Sequence, residues 1–150
     1  MRTHVMSRTT VTLVLLLPAL AAAQTVRTPV AEAFDHYEAI RAALAGDQIA
    51  GLDTHAAALA PLAEQVAGKE AGTLASGLGG SKTLAAARDQ FGSLSMLLVP
   101  RFLEAELPGV VGYACAMKSN ASWAQRADKI QNPYFGKAML ECGARIETPR

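Results

Sequence analysis

Apolar residues recur at steps of three and four along three stretches of the chain. Ala33, Tyr37, Ile40 and Leu44 form the first stripe. Ile49, Leu52, Ala56, Leu59, Ala63 and Val66 form the second, and Leu84, Ala87, Phe91, Leu94 and Leu98 the third. This spacing places the apolar side chains of each stretch on one face of an α-helix. Asp47 is a suitable N-cap for the second helix and Ser81 for the third. Pro100 is expected to end or kink the third. Asp35 and Glu38 read as a variant capping box rather than as an acid/base pair. Between the second and third helices, Gly68 to Gly80 carries five glycines and predicts a flexible loop without a site. Gly79-Gly80-Ser81-Lys82-Thr83 superficially resembles a phosphate loop but lacks its spacing and follows no strand, which argues against a nucleotide site there.

The pattern changes after the turn residues Leu107-Pro108-Gly109. Val110 to Tyr113 reads as extended, and continuing that alternation points Cys115 and Met117 to one side and Ala114 and Ala116 to the other. A final helix is expected from Asn132 as N-cap, with Pro133 at the first helical position and Gly143 just beyond the end. Phe135, Met139 and Cys142 step by four and three along it and share a face. Gly136 would sit mid-helix at a cost of about 1 kcal/mol relative to alanine, explained by a close neighbour such as Trp123. The fold class expected is all-α: an antiparallel bundle of about four helices, with a short extended Cys-x-Met segment packed on the last helix.

The N-terminus adds a compartment. Arg2 and Arg8 precede a short apolar run, Val11 to Leu20, and Ala21-Ala22-Ala23 supplies a small-residue cleavage site before Gln24. Residues 1–23 thus read as a secretory signal peptide, too short for a membrane span. Residues 24–150 form a single domain of 127 residues out of 150, periplasmic or secreted, with no membrane insertion after cleavage. The leader removes two of the 14 basic residues and none of the 13 acids, leaving 12 against 13. A near-neutral chain without a basic run offers nucleic acid no electrostatic footprint.

The candidate chemistry lies in sulfur. Cys115, Met117, Met139 and Cys142 place two thiols and two thioethers on facing surfaces, provided that the extended segment packs on the last helix. Such soft donors suit copper(I) rather than zinc, magnesium or calcium. The same two cysteines can instead close a disulfide, as pairs in exported domains usually do. That bridge would contribute about 3–4 kcal/mol by chain entropy, with the methionines as core filler. Trp123 and Tyr134 read as packing anchors. His36 and His55 read as exposed. No nucleophile, base and acid set is legible, so the chain does not read as an enzyme.

Tyr113, Cys115, Met117, Trp123, Ile130, Asn132, Pro133, Tyr134, Phe135, Gly136, Met139, Leu140, Cys142 and Gly143 together spell Tyr-x-Cys-x-Met, Trp, Ile-x-Asn-Pro-Tyr-Phe-Gly and Met-Leu-x-Cys-Gly. This pattern resembles domain-of-unknown-function family 3347, and Arg88 to Ser95 resembles that family's third helix. The likeness covers about residues 31–147. The family comprises small exported proteins and C-terminal modules of copper/silver efflux periplasmic adaptors. The resemblance therefore implies metal handling, with copper as the ion and an efflux or metal-trafficking protein as partner. Two positions depart from the family: Ala116 stands where Cys-Pro-Met has proline, leaving the backbone between the sulfur residues less fixed, and Pro100 interrupts the third helix. Against the metal reading stands an interaction module of the cell envelope stapled by Cys115–Cys142.

Overall fold

The computed structural model describes residues 27–119, 121–126 and 129–147; residues 1–23, where the sequence leads one to expect a leader, lie outside them. The described chain is mostly helical. It runs α1 (Pro29–Ala45), α2 (Leu52–Ala67), α3 (Lys69–Leu78), α4 (Leu84–Glu104), β1 (Val111–Ala114), β2 (Ser122–Gln125), a 3-10 turn (Gly136–Ala138) and β3 (Ala144–Arg145). The three strands form an antiparallel sheet in the order β2-β1-β3. No helix among the described residues is long and apolar enough to cross a membrane.

The three apolar stripes do become helix faces. Ala33, Tyr37, Ile40, Leu44, Leu52, Ala56, Leu59, Ala63, Ala87, Phe91, Leu94 and Leu98 are all buried. Their boundaries differ from expectation. Helix α1 is capped by Thr28, with Pro29 opening its first turn, so Asp35 and Glu38 lie inside the helix. Instead of capping, Asp35 pairs with Arg27 and Arg126, and Glu38 pairs with Arg41. Helix α2 starts after Gly51, not after Asp47, and Ile49 is left exposed. Helix α4 is capped by Thr83, whose Oγ1 accepts from the Ala86 N–H, rather than by Ser81.

Gly68 to Gly80 is not a loop. Lys69–Leu78 forms α3, burying Ala71, Ala75 and Leu78 at helical spacing. Gly72 lies beside Ala60 and Glu64 of α2, and Gly79 beside Asp53 and Ala56, so the two helices run antiparallel. A Cβ on Gly72 would come within 2.9 Å of the Glu64 Cβ and 3.1 Å of the Ala60 carbonyl. Glycine here permits close helix packing rather than flexibility. Pro100 likewise does not end α4, which continues to Glu104. It deprives the Met96 carbonyl of its helical donor, but Pro100 and Met96 both face solvent, Met96 being 48% exposed.

The sheet corrects the all-α expectation. Val111 and the directly opposed Tyr113 and Trp123 suit a pleated surface, and those two rings stack at 5.5 Å. Trp123 then meets Tyr134, Tyr134 meets Phe91, and Phe91 stacks on Tyr37 at 4.9 Å. Tyr37 and Phe34 both pack edge-on or tilted against Phe102. Seven of the chain's eight aromatic side chains thus form one continuous series from the sheet into the bundle. Tyr37 is fully buried and shares a 2.8 Å hydrogen bond with Ser95.

Two arginines tie the segment after β2 to the helices. Arg41, only 2% exposed, forks onto Glu38 and donates to the Gln131 carbonyl at 3.0 Å and to Gln131 Oε1 at 3.2 Å. Burial holds the Glu38 carboxyl above its usual range despite that fork. Arg88 donates to the carbonyls of Leu44 and Pro133 and to Asp47. Replacing Arg41→Ala strands Gln131 and leaves the Glu38 carboxylate without its counter-charge. The expected loss is about 2–4 kcal/mol, below the full cost for a closed ion pair because Glu38 keeps some solvent. Urea unfolding of the two proteins measures it.

Candidate functional site: a thiol pair between β1 and the C-terminal turn

Cys115 follows β1 directly, and its N–H donates to the Ala121 carbonyl at 2.9 Å, extending the β1–β2 hairpin by one pair. Cys142 precedes β3. Pairing of β3 with β1, Ala114 opposite Ala144, carries the two cysteines to the same end of the sheet. Their Sγ atoms lie 3.4 Å apart, across 27 residues of sequence. Both are free thiols, Cys115 buried and Cys142 half-buried.

The helix expected to present Cys142 is absent. Asn132 does cap a turn, its Oδ1 accepting from the N–H groups of Tyr134 and Phe135. The turn stops at Gly136, which adopts φ +55°. A Cβ at that position would fall 1.9 Å from Asp47 Oδ1 and 2.4 Å from Arg88 Nη2. The crowding neighbour of Gly136 is therefore the Asp47–Arg88 ion pair and not Trp123. A left-handed residue ends an α-helix, and only a 3-10 turn over Gly136–Ala138 follows, with Met139 at φ −146°. Met139 and Cys142 hence share no helix face; the Cys142 N–H instead closes a turn on the Met139 carbonyl.

Buried Asn132 does more than cap. Its Nδ2 donates to the Cys142 carbonyl at 2.7 Å, and its own N–H donates to the Leu140 carbonyl, also at 2.7 Å. Gly143 passes against Trp123, where a Cβ would sit 2.6 Å from the indole Cη2. Trp123 is fully buried, and its Nε1–H donates to Gln125 Oε1 at 2.9 Å. Gln125 in turn donates to the Lys129 carbonyl and accepts from the Gln131 N–H. The Tyr134 hydroxyl donates to the Ser122 carbonyl, and burial pushes it well above its ordinary pKa. Together these contacts fix the backbone on which Cys142 rides.

Of the four expected sulfur residues, the structure brings together the two thiols. Ala116 and Met117 lie in a turn, so the strand alternation that would align Met117 with Cys115 stops at Cys115. Met117 is 67% exposed and Met139 36% exposed, both in turns neighbouring the cysteines. Among the described residues, no group of three or more His, Cys, Asp or Glu side chains converges. His36 and His55 are half-buried rather than fully exposed, and their Nδ1 atoms face each other. The link from Asn132 to Cys142 and the Gln125 network carry no signal in residue spacing. The Asn-Pro pair signalled only a cap.

The hydrogen bond shared with Cys115, together with burial, pushes the Cys142 thiol above its usual pKa. A raised pKa lowers the thiolate fraction at any given pH, and the thiolate is the nucleophile. Alkylation of Cys142 by iodoacetamide should consequently be slow at neutral pH and accelerate only above the range of a free cysteine, as followed by peptide mass spectrometry across a pH series. Asn132→Asp keeps the capping oxygen but turns an acceptor toward the Cys142 carbonyl. It is expected to cost about 1–3 kcal/mol and to speed that alkylation.

No protein-family model, curated protein or solved structure matches the chain.

Proposed function

We propose that this is an exported soft-metal-binding protein that holds copper(I) between Cys115 and Cys142 for sequestration or hand-off. The observation that carries the reading is the 3.4 Å approach of two free thiols supplied by adjacent strands at the same end of one sheet. With metal–sulfur bonds of roughly 2.3 Å, the zinc–thiolate length taken as a guide, an angle between tetrahedral and trigonal needs sulfurs about 3.8–4.0 Å apart. The pair is a few tenths of an ångström short of that, a shift within reach of the half-buried Cys142 turn. Thiolates bind copper(I) and zinc alike, and it is the thioethers beside them that turn the donor set toward copper(I). Exposed Met117 and Met139, in turns next to the cysteines, are the thioethers available to complete the coordination. The C-terminal sequence pattern resembling family 3347 and the leader-like N-terminus support the same reading, with an efflux or trafficking protein of the cell envelope as recipient.

A second reading uses the same pair as a disulfide staple for a module that binds an envelope partner and no metal. Closing it requires the sulfurs to approach by about 1.4 Å, to roughly 2.0 Å. Exported thiols at this separation are exposed to that oxidation.

Titration of the reduced protein with copper(I) against a competing chelator should give one equivalent bound. Cys142→Ser is expected to lower the affinity by about 100-fold or more, beyond the 10–100-fold that partners outside the ligand set carry. Met117→Leu and Met139→Leu should cost less. Unchanged affinity in Cys142→Ser would sink the metal reading. Intact mass of protein taken directly from the envelope, lighter by two hydrogens and copper-free, would favour the staple.

A further inference from the structure

We propose that His36 and His55 form a second metal site, distinct from the thiol pair, which takes a divalent borderline ion of the zinc(II) or copper(II) class between α1 and α2. The two histidines stand 19 residues apart, on different helices, and their Nδ1 atoms meet at 3.2 Å. The ring centroids are 5.5 Å apart, with the planes inclined by 49°. Both rings are half-buried, so packing of α1 on α2 limits their rotamers while leaving one side open to solvent.

The separation suits a shared ion. With metal–nitrogen bonds of about 2.0–2.1 Å, nitrogens 3.2 Å apart subtend an angle of about 100° at the metal, close to tetrahedral. In the structure one ring nitrogen faces the other. Binding requires each ring to tip by roughly 40°, so that both lone pairs converge off the line between them. That tip is a soft rotation about an sp³–sp² bond. Imidazole is a borderline donor suited to zinc and copper(II), whereas the thiols favour copper(I), so the two sites divide by ion class and oxidation state.

The remaining positions belong to water. Among the described residues no third His, Cys, Asp or Glu completes the group, although half-buried Glu32 lies one helical turn before His36. Two protein ligands and open positions make a site of rapid exchange rather than a closed structural one. An ion held there also links α1 to α2 and stabilises the fold by mass action.

The test is calorimetric titration of Cys115→Ser/Cys142→Ser protein with zinc(II), beside electron paramagnetic resonance with copper(II). The expected result is one equivalent bound, superhyperfine splitting of the copper(II) signal by two imidazole nitrogens, and a rise in melting temperature with added zinc. His36→Gln and His55→Gln should each reduce the affinity by about tenfold or more and abolish the rise. Where the thiol-free variant shows an unfolded circular dichroism spectrum, wild type is compared with His36→Gln/His55→Gln, in which the zinc stoichiometry should fall by one equivalent. Zinc binding that is absent in the folded thiol-free protein, or unchanged in the histidine variants, overturns the proposal. Neither outcome touches the copper(I) affinity of the thiols.

Discussion

The full burial of Trp123 is the constraint on which the rest of the structure turns. A large ring with one polar edge can be taken out of water only where its faces are packed and its N–H is satisfied. Tyr113 covers one face from the opposed strand, Tyr134 approaches edge-on, and Gln125 accepts from the indole nitrogen. Each of those partners fixes something further. Gln125 orders the turn through Lys129 and Gln131, Tyr134 carries the aromatic series into the bundle, and the ring's far edge leaves Gly143 no room for a side chain. The position of Cys142 follows from the shape of an indole.

The helices supply a second level of control through two cations, buried Arg41 and partly buried Arg88. Arg41 and Arg88 project from α1 and α4 and spend most of their donors on backbone or side-chain oxygens of the segment 131–133 and on helix-side partners. A segment of such irregular backbone would otherwise leave carbonyls without donors. The guanidinium fork suits this work because it serves several acceptors from one rigid plane. Asp47 completes the arrangement. The hydrogen bond from Arg88 lowers its carboxyl below the usual range, and its second oxygen receives the Lys137 N–H. That pair occupies the space a Cβ at position 136 would need.

Much of the bundle was legible because helical burial has a period. The stripes containing Tyr37, Leu59 and Phe91 turn inward as their spacing requires. What the spacing could not reveal was anything decided across the chain. Helix α3 was hidden because its glycines serve packing on α2, a tertiary reason that overrides their low propensity. The last helix was misread for the converse reason. Asn132 and Pro133 are genuine helix-opening signals, and Gly136 cancels them under pressure from Asp47 and Arg88, residues more than forty positions away. The thiol pair emerged although its supposed scaffold did not: the neighbouring ends of two paired strands replace a strand lying on a helix. The methionine alignment failed with the alternation that had supported it.

The weakest element of the fold has a consequence for when the thiols can act. Strand β3 is two exposed residues long, held by its register with Tyr113 and Ala114 and by the Ile146 N–H to the Gly112 carbonyl. Free energies of local opening follow such differences in buried contact and exposed hydrogen bonding. The helices lie on the most protected side of that scale and β3 on the least. Cys142 stands just outside β3, its own backbone held by buried Asn132 and by the passage of Gly143 against Trp123. Fraying of β3 would therefore loosen one side of the Cys142 turn while the Asn132 bond and the indole hold the other, so access to the thiols is set by two residues of strand rather than by the bundle.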